Sequence, residues 1–352
     1  MSLATAAVRF AEAAPMPDPL RRAGIDALVG LTRRRLAKRP DGEEDRLVAD
    51  MDRFPIAIHA DAANAQHYEL PPEFFEMILG PRLKYSCCFY PDARTTLAEA
   101  EEAALAETMA RADLADGQTI LELGCGWGSL SLAMAGRLPN ARITSVSNSQ
   151  SQRAFIERQI RRRSLANLTV VTADMNAFAP AGRYDRVVSV EMFEHMSNWR
   201  RLLGSIHGWL EDEGKLFLHV FTHRRCSYRF DASDPSDWIA QHFFTGGLMP
   251  AHDLPHRVTP LFSVEQDWRW SGAHYQRTAL DWLANFDRAG KEIDAVLRRT
   301  YGDDATLWRR RWRLFFLATA GLFGHAGGSE WGVGHYRLKP ERAAREASRA
   351  AR

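Results

Sequence analysis

Apolar and polar residues follow two alternating patterns through the middle of the chain. From residue 118 onward, short apolar runs alternate with longer segments in which apolar residues recur at helical spacing. The short runs are typical of buried strands and the longer segments of amphipathic helices. Strands that alternate with helices form a parallel sheet covered on both faces, and ligands bind beyond the C-terminal ends of its strands. The predicted strands cover residues 119–123, 142–147, 168–173, 184–190 and 214–221.

Helical periodicity fills the stretches between these strands and returns late in the chain. Two late strands, at 262–270 and 331–338, complete a predicted seven-stranded sheet. The predicted helices cover residues 127–138, 150–163, 199–210, 278–299 and 308–323.

The chain divides into five predicted parts around this α/β sheet. A long irregular segment after a core strand is often a lid or a substrate wall. We assign that role to residues 223–260, called the insertion below. The parts are a helical N-terminal extension at 1–84, an α/β core that binds the cofactor at 85–222, the insertion at 223–260, late strands and substrate-side helices at 261–339, and a basic tail at 340–352.

The composition narrows the class of protein. The 352 residues carry a formal net charge of +2, which argues against a nucleic-acid partner. No apolar run approaches the roughly 20 residues of a membrane span, and the first residues do not resemble a secretory signal. The cysteines follow neither a disulfide framework nor zinc-ligand spacing, so we expect no metal site. These features predict a cytoplasmic protein without stable membrane insertion.

A glycine-rich loop follows the first predicted strand in Ile120-Leu-Glu-Leu-Gly-Cys-Gly-Trp-Gly128. Gly124, Gly126 and Gly128 allow a sharp turn and the close approach of a ligand to the next helix. The loop differs from the dinucleotide fingerprint, because its third glycine comes one position early and the second strand ends without an acid. It resembles instead motif I of S-adenosylmethionine methyltransferases. A purely structural turn is the less favoured alternative.

The fourth predicted strand leads directly into Glu191-Met-Phe-Glu-His-Met196. If this segment turns helically, Glu191, Glu194 and His195 lie on one face, beside the glycine loop. Such groups suit an amine substrate, because an alkylammonium with a pKa of about 10 must lose its proton before or during attack. A carboxylate also stabilises a nearby cation. The structural alternative is that Glu191 caps a helix and His195 is a surface group.

Five motifs in order along the chain carry a specific family resemblance. Together they resemble the cyclopropane-fatty-acid-synthase superfamily of S-adenosylmethionine-dependent methyltransferases, and within it the coclaurine N-methyltransferase branch. That branch methylates the ring nitrogen of benzylisoquinoline alkaloid precursors. The resemblance covers residues 54–339 and implies a class I methyltransferase, Rossmann-like fold. The motifs are Tyr85-Ser-Cys-Cys-Phe-Tyr90, Leu121-Glu-Leu-Gly-Cys-Gly-Trp-Gly128, Ser189-Val-Glu-Met-Phe-Glu-His-Met196, His242-Phe-Phe-Thr-Gly-Gly-Leu-Met-Pro250, and His274-Tyr275 with Trp282.

The resemblance implies roles for individual residues. The implied contacts to S-adenosylmethionine are the covering residues Tyr85 and Ser86, the methionine-side residues Glu122, Gly124, Gly126 and Gly128, the ribose segment with Ser147, Asn148 and Gln152, and the adenine contacts Asp174 and Met175. The implied catalytic residues are the N-methyltransferase cluster Glu191, Glu194 and His195, and the positions that hold bicarbonate in the cyclopropane synthases, Cys87, Glu194, His219 and Tyr275.

Bicarbonate is left open as a second cofactor, because both branches can carry these positions. From the pattern alone, two of these positions also have a structural alternative. His219 is also consistent with a hydrogen-bonded core histidine, and Cys87 with a small buried hydrophobe.

One position departs from the cyclopropane synthases, which carry a cysteine in the late helix where this chain has Thr319. The N-methyltransferases lack that cysteine too. The leading hypothesis is therefore N-methylation of a small aromatic or cyclic amine, with Glu194 and His195 as base and electrostatic support. The alternative is a lipid-modifying relative that adds a methyl or methylene carbon to an unsaturated acyl chain. The intact acid–histidine cluster disfavours an inactive binding protein, and a homodimer is left open.

A basic segment near the N-terminus is amphipathic. In residues 20–38, Ile25, Leu28, Val29 and Leu36 recur at helical spacing among arginines. Such a helix could lie on an anionic membrane. A helix that packs on the core and exposes its basic face is the favoured interpretation.

Overall fold

One sheet dominates the computed structural model, which describes residues 12, 16–58, 70–234 and 237–341. Its strands, numbered in chain order with a separate short pair, are β1 (Thr119–Leu123), β2 (Arg142–Ser147), β3 (Leu168–Thr172), β4 (Tyr184–Val190), β5 (Leu210–His223), β6 (Tyr228–Arg229), β7 (Leu248–Met249), β8 (Phe262–Ser271) and β9 (Trp331–Pro340). The order in the seven-stranded sheet is β3-β2-β1-β4-β5-β9-β8, and β6 pairs with β7. Strands β1 to β5 run parallel and β9 runs antiparallel to both its neighbours.

The helices surround this sheet. In the described ranges they are α1 (Asp18–Ala37), α2 (Glu43–Asp50), α3 (Pro72–Ile78), α4 (Leu97–Arg111), α5 (Ser129–Arg137), α6 (Gln150–Arg162), α7 (Trp199–Trp209), α8 (Trp238–His242), α9 (Leu254–Arg257), α10 (Gly272–Arg288), α11 (Gly290–Tyr301) and α12 (Ala305–Gly324). Short 3-10 turns add Met51–Arg53, Phe193–His195, Gly302–Asp304 and His325–Gly328.

Both faces of the central strands are buried. Successive side chains of a strand point to opposite faces, and Ile120 and Leu121 accordingly belong to different hydrophobic clusters, as do Val188 and Val187. This explains why these strands are apolar runs rather than alternating ones. The predicted seven-stranded sheet is confirmed, and the C-terminal ends of β1 to β4 lie together at one edge.

The prediction of one helix over 278–299 is wrong, because the chain forms two helices there. Helix α10 begins at Gly272, where the hydroxyl of Ser271 accepts the N–H of Ala273 at 3.2 Å. Helix α11 begins at Gly290 after a break at Ala289. Glycine is a poor helix former, and the break lets α11 turn and pack against α12. The fifth strand is also longer than predicted, since β5 starts at residue 210.

Helix α1 packs against α12, as the favoured interpretation of the basic segment expects. Val29 and Leu36 are buried in the core, whereas Leu20 and Leu31 are 60% and 57% exposed. The described part of the predicted N-terminal extension holds helices α1, α2 and α3 and one 3-10 turn, joined by irregular segments. Residues 1–11, 13–15 and 59–69 of that extension, 235–236 of the insertion and 342–352 of the basic tail lie outside the described residues.

The insertion after β5 holds only the β6–β7 pair and two short helices, α8 and α9, in its described part. Its assignment as a lid stays a prediction, as does the cytoplasmic location. Across the described ranges, no helix combines the length and the apolar character that are needed to cross a lipid bilayer.

Candidate active site

The glycine-rich loop between β1 and α5 requires its glycines for two different reasons. Gly124, Gly126 and Gly128 have φ angles of +79°, +52° and +81°, which side chains with a Cβ rarely adopt. A Cβ at Gly124 would lie 2.5 Å from Cγ of Met192, and a Cβ at Gly128 would lie 2.7 Å from Cγ1 of Ile156. At Gly126 a Cβ would meet no described atom within 4 Å. This position therefore leaves room for a ligand against the backbone of the loop.

Glu122, just before the loop, is held at the edge of the sheet. Ser131 of α5 and Ser145 of β2 both donate their hydroxyls to its Oε2 atom, the latter at 2.8 Å. Burial raises the pKa of this carboxyl to about 7, although the two hydroxyls act in the opposite direction. Its charge consequently changes near neutral pH.

The predicted ribose and adenine contacts follow the C-terminal ends of β2 and β3. Ser147 donates its hydroxyl to Oε1 of Gln152 at 2.7 Å. Nε2 of Gln152 is buried and has no hydrogen-bond partner among the described residues. Asp174 is exposed, while Asn148 and Met175 are half-buried. All five residues thus lie at the edge of the sheet that carries the glycine loop.

Tyr85 lies close to the glycine loop through an aromatic contact. Its ring packs on Phe75 with the centroids 5.3 Å apart, and Phe75 packs on Trp127 of the loop at 4.8 Å. Ser86 follows Tyr85 and is buried. The chain therefore brings both covering residues of the sequence prediction to the loop region.

Lys84 is a buried cation that the sequence analysis missed. Its Nζ atom donates to Oγ of Ser86 at 2.6 Å and to the carbonyl oxygen of Cys87 at 2.7 Å. Only 3% of Lys84 is exposed, and its charge acts on Glu191. A single lysine has no spacing pattern, so no signal in the sequence alone pointed to it.

Glu191 is the centre of the cluster at the end of β4. Its Oε1 atom accepts the backbone N–H of Cys87 at 2.8 Å and lies 3.1 Å from Nε2 of His219. Its Oε2 atom accepts the hydroxyl of Tyr275 at 2.6 Å. The backbone of Glu191 has a φ of +47°, a strained value for a residue other than glycine. Such strain is typical of functional positions, where the surrounding contacts hold the backbone in place.

The expected helical face with both carboxylates and the imidazole does not form, because only Phe193–His195 makes a 3-10 turn. Oε1 of Glu194 accepts the N–H of Phe221 at 2.6 Å, and Oε2 has no hydrogen-bond partner among the described residues. The ring of His195 stacks on Phe244 with a centroid distance of 4.8 Å and an angle of 7°. The structure thus brings the predicted catalytic residues together at the end of β4. However, Glu194 and His195 contact Phe221 and Phe244, which are not among the groups that hold Glu191.

Burial affects the two carboxyls unequally. It raises the pKa of Glu191 above its usual value, because the charge of Lys84 and the hydroxyl of Tyr275 oppose the effect of burial only in part. Burial also raises the pKa of Glu194 well above its usual range, and the charge of Glu191 adds to this effect. Both oxygens of Glu191 accept hydrogen bonds, from Cys87 and Tyr275, whereas Oε2 of Glu194 has no partner among the described residues. We therefore infer from these donors that Glu191 carries the negative charge of the pair and that Glu194 is its protonated partner.

The edge of the sheet at the glycine loop offers both open space and an unpaired donor to a ligand. The open space at Gly126 admits a chain close to the backbone, and the unsatisfied Nε2 of Gln152 can bind a polar group beyond β2. The described residues hold no group of three or more His, Cys, Asp or Glu side chains arranged for a metal ion.

Comparisons with known proteins show the family of the chain. The family model for mycolic acid cyclopropane synthetase matches residues 57–326. (S)-Coclaurine N-methyltransferase from Thalictrum flavum subsp. glaucum is 35% identical over 298 residues, which are 83% of this chain and 82% of that protein. Cyclopropane-fatty-acyl-phospholipid synthase from Escherichia coli strain K12 is 29% identical over 231 residues, 65% of this chain and 57% of that protein.

A solved structure agrees with the fold. The crystal structure of coclaurine N-methyltransferase bound to N-methylheliamine and SAH matches with a TM-score of 0.89 and 33% identity, covering 96% of this chain and 100% of that one. The class I methyltransferase fold expected from the motifs is thereby confirmed. The chain belongs to the mycolic acid cyclopropane synthetase family and is an S-adenosylmethionine-dependent methyltransferase.

Proposed function

We propose that this enzyme methylates the nitrogen of a small aromatic or cyclic amine. The observation that carries the proposal is the carboxyl of Glu191, held by donors on both oxygens, beside the half-buried imidazole of His195 at the edge of the sheet that holds the glycine loop. Relatives named for amine methylation support it. They include the coclaurine enzyme and pavine N-methyltransferase, which is 31% identical over 280 residues.

The cofactor supplies an electrophilic methyl group on a sulfonium when it is bound. We assign its methionine part to the open space at Gly126 and its charged groups to the vicinity of Glu122. The other residues that we expect to hold it are Tyr85, Ser86, Gly124, Gly128, Ser147, Asn148, Gln152, Asp174 and Met175.

The residues at the end of β4 remove the proton of the amine and stabilise its positive charge. His195 is half-buried, whereas the side chain of Glu194 has no exposed surface, so His195 is the better placed base. The negative charge of Glu191 favours a cationic amine and the sulfonium. Glu194, protonated and bonded to Phe221, supports the turn that carries His195. This assignment moves the role of base from the Glu194–His195 pair to His195.

The contacts of Glu191 also indicate whether this enzyme binds bicarbonate. Three of the four positions that match the bicarbonate site, Cys87, His219 and Tyr275, contact the carboxylate of Glu191. A carboxylate and a bicarbonate present similar oxygens to such donors. We therefore propose that Glu191 takes the place of bicarbonate in this enzyme.

The insertion provides an aromatic wall beside the imidazole. Phe244, which stacks on His195, also packs on Phe230 at 5.4 Å and on Phe221 of β5 at 5.6 Å. Phe230 and Phe244 both belong to the insertion and are half-buried. We propose that this wall receives the aromatic part of the amine and that the insertion acts as the lid.

The acyl-lipid alternative retains the support of the Escherichia coli relative. An alkene has no titratable proton before attack, so that reaction needs no base at the first step. The buried cluster would then act later, on a carbocation in a dry site.

The proposal is tested with tetrahydroisoquinoline, a cyclic secondary amine fused to an aromatic ring, and with isochroman, which has oxygen at the same position. We expect methyl transfer to the amine alone, with a rate that rises with pH as the ammonium loses its proton. The variant His195→Ala should lose about 10²-fold to 10⁴-fold in turnover. Methylation at carbon, or a wild-type rate in His195→Ala, would contradict the proposal.

A further inference from the structure

Two buried histidines lie side by side on neighbouring strands. His219 of β5 and His335 of β9 are register partners, and their ring centroids are 4.5 Å apart. Both histidines are fully buried, with 0% of each exposed. Nε2 of His219 lies 3.1 Å from Glu191, and Nδ1 of His335 lies 2.9 Å from Nη1 of Arg111. A row of side chains therefore leads from the charged carboxylate of the active site to a guanidinium on α4.

The two ends of this row determine which ring nitrogens carry protons. A guanidinium only donates, so Nδ1 of His335 accepts from Arg111, and the proton of the neutral ring lies on Nε2. An ionised carboxylate only accepts, so Nε2 of His219 donates to Glu191, and Nδ1 is a bare acceptor. Both rings are neutral, because burial and the charges of Lys84 and Arg111 keep the pKa of each histidine below its usual value.

The two remaining nitrogens complement each other. Nδ1 of His219 and Nε2 of His335 are buried, and neither has a hydrogen-bond partner among the described residues. The first is an acceptor and the second a donor. Unpaired buried polar atoms are costly, so a donor and an acceptor on two rings in contact favour pairing with each other, directly or through a water.

Arg111 is itself held firmly at the outer end. It forms an ion pair with Glu107 at 2.7 Å, and its guanidinium lies over the rings of Trp268 and Trp270 at 5.2 Å and 5.5 Å. Trp270 also packs against His335 at 4.3 Å. These contacts fix the donor that determines the proton position on His335.

We propose that Arg111 and His335 are positioning residues, which hold the ring of His219 so that its Nε2–H points at Glu191. The proposal includes the pairing of Nδ1 of His219 with Nε2 of His335, directly or through one water, between rings whose centroids are 4.5 Å apart. A ring bonded at both nitrogens has one orientation, whereas a ring bonded at one nitrogen can turn. The inference rests on the proposed role of Glu191, and it assigns a function to two residues that the five motifs do not include.

The first test observes the protons directly by ¹⁵N NMR of histidine-labelled enzyme with S-adenosylhomocysteine bound. We expect both His219 and His335 as the Nε2–H form. His335→Phe, which keeps the ring shape without nitrogens, should shift the Nδ1 signal of His219 toward that of a free acceptor. His207→Phe, a buried histidine outside the row, should leave it unchanged. A proton on Nδ1 of His335, or an unaltered His219 signal in His335→Phe, would overturn the proposal.

The second test separates positioning from folding and from the proposed function. His335→Phe should lower kcat for amine methylation by up to about 100-fold, the cost of a small misplacement of a reacting group, with unchanged cofactor affinity. His335→Gln, which retains a donor, should recover much of that loss. A wild-type kcat in His335→Phe, when Glu191→Gln is inactive, would overturn the positioning role. Wild-type kcat in both variants would instead contradict the proposed role of Glu191, while the NMR result still decides whether the row exists.

Discussion

Tyr275 of α10 donates its hydroxyl to Oε2 of Glu191, at the end of β4, over 2.6 Å. With the N–H of Cys87 and the ring of His219, this bond holds the carboxylate from three separate parts of the chain. The donors are in place before any substrate arrives, so the charge of Glu191 needs no reorganisation during the reaction. The strained φ of +47° at this residue is the conformational cost of that placement.

Replacing Glu191 with glycine should make the enzyme responsive to bicarbonate. Glycine suits the φ of +47°, so the turn should persist while the carboxylate is lost. We expect turnover to fall about 10²-fold to 10³-fold in bicarbonate-free buffer, as for the loss of one preorganised electrostatic group. Added bicarbonate should restore part of it, because the donors of Cys87, His219 and Tyr275 become available to an anion. Initial rates with and without bicarbonate measure the effect.

The matched control is Glu191→Gln, whose amide fills the same space and should block rescue. The wild-type enzyme should be insensitive to bicarbonate. Rescue of the Gln variant to the same extent as the Gly variant, or a wild-type enzyme that requires bicarbonate, would contradict the substitution of bicarbonate by Glu191.

The two carboxyls of the cluster should respond differently to the same change. Because burial and the charge of Glu191 keep Glu194 protonated, Glu194→Gln replaces one neutral group with another of similar shape. We expect a loss in kcat of less than about tenfold, against about 10²-fold or more for Glu191→Gln, which removes a preorganised charge. Steady-state kinetics of the two variants at pH 7 compare them. An equal or larger loss in Glu194→Gln would identify Glu194 as the essential charge.

Gly126→Val should abolish cofactor binding. A branched side chain opposes the φ of +52° and occupies the space that we assign to the methionine part of the cofactor. Isothermal titration with S-adenosylmethionine measures the affinity, with Gly136→Val on the exposed side of α5 as the control that should bind normally. Wild-type affinity in Gly126→Val would remove the cofactor from this loop.

Cofactor affinity should depend on pH through Glu122. With a pKa of about 7, its carboxyl is neutral at lower pH and negative at higher pH. The anion attracts the ammonium and sulfonium of the cofactor, so affinity should weaken as the pH falls through about 7, by at most about tenfold per pH unit. Titrations across this range in the wild type and in Glu122→Gln compare the slopes. An equal slope in both would show that another group titrates.

The motifs of the sequence predict the architecture well, because each depends on local chemistry. Apolar runs such as 119–123 identify strands buried on both faces, and Gly124 and Gly128 are dictated by sterics at Met192 and Ile156. The prediction of one helix over 278–299 was wrong. The apolar pattern continues across the break at Ala289, so periodicity alone does not reveal that the helix ends there.

The contacts of the candidate site were beyond prediction from spacing. Glu191, Cys87, His219 and Tyr275 meet only after the sheet has formed, and helical spacing favoured a different grouping with Glu194 and His195. Lys84 affects Glu191 because its charge is buried, and no sequence motif predicts that burial.

The central claim is that the acceptor is an amine nitrogen, and one competition measurement tests it most directly. The enzyme receives S-adenosylmethionine with a ¹³C-labelled methyl group, a panel of cyclic and aromatic amines, and vesicles of unsaturated phospholipid in the same vessel. Mass spectrometry then locates the label. We expect it as N-methyl groups on amines, with no labelled carbon in the acyl chains. Label incorporated into the acyl chains, with the amines unmodified, would contradict the account and establish the lipid-modifying alternative.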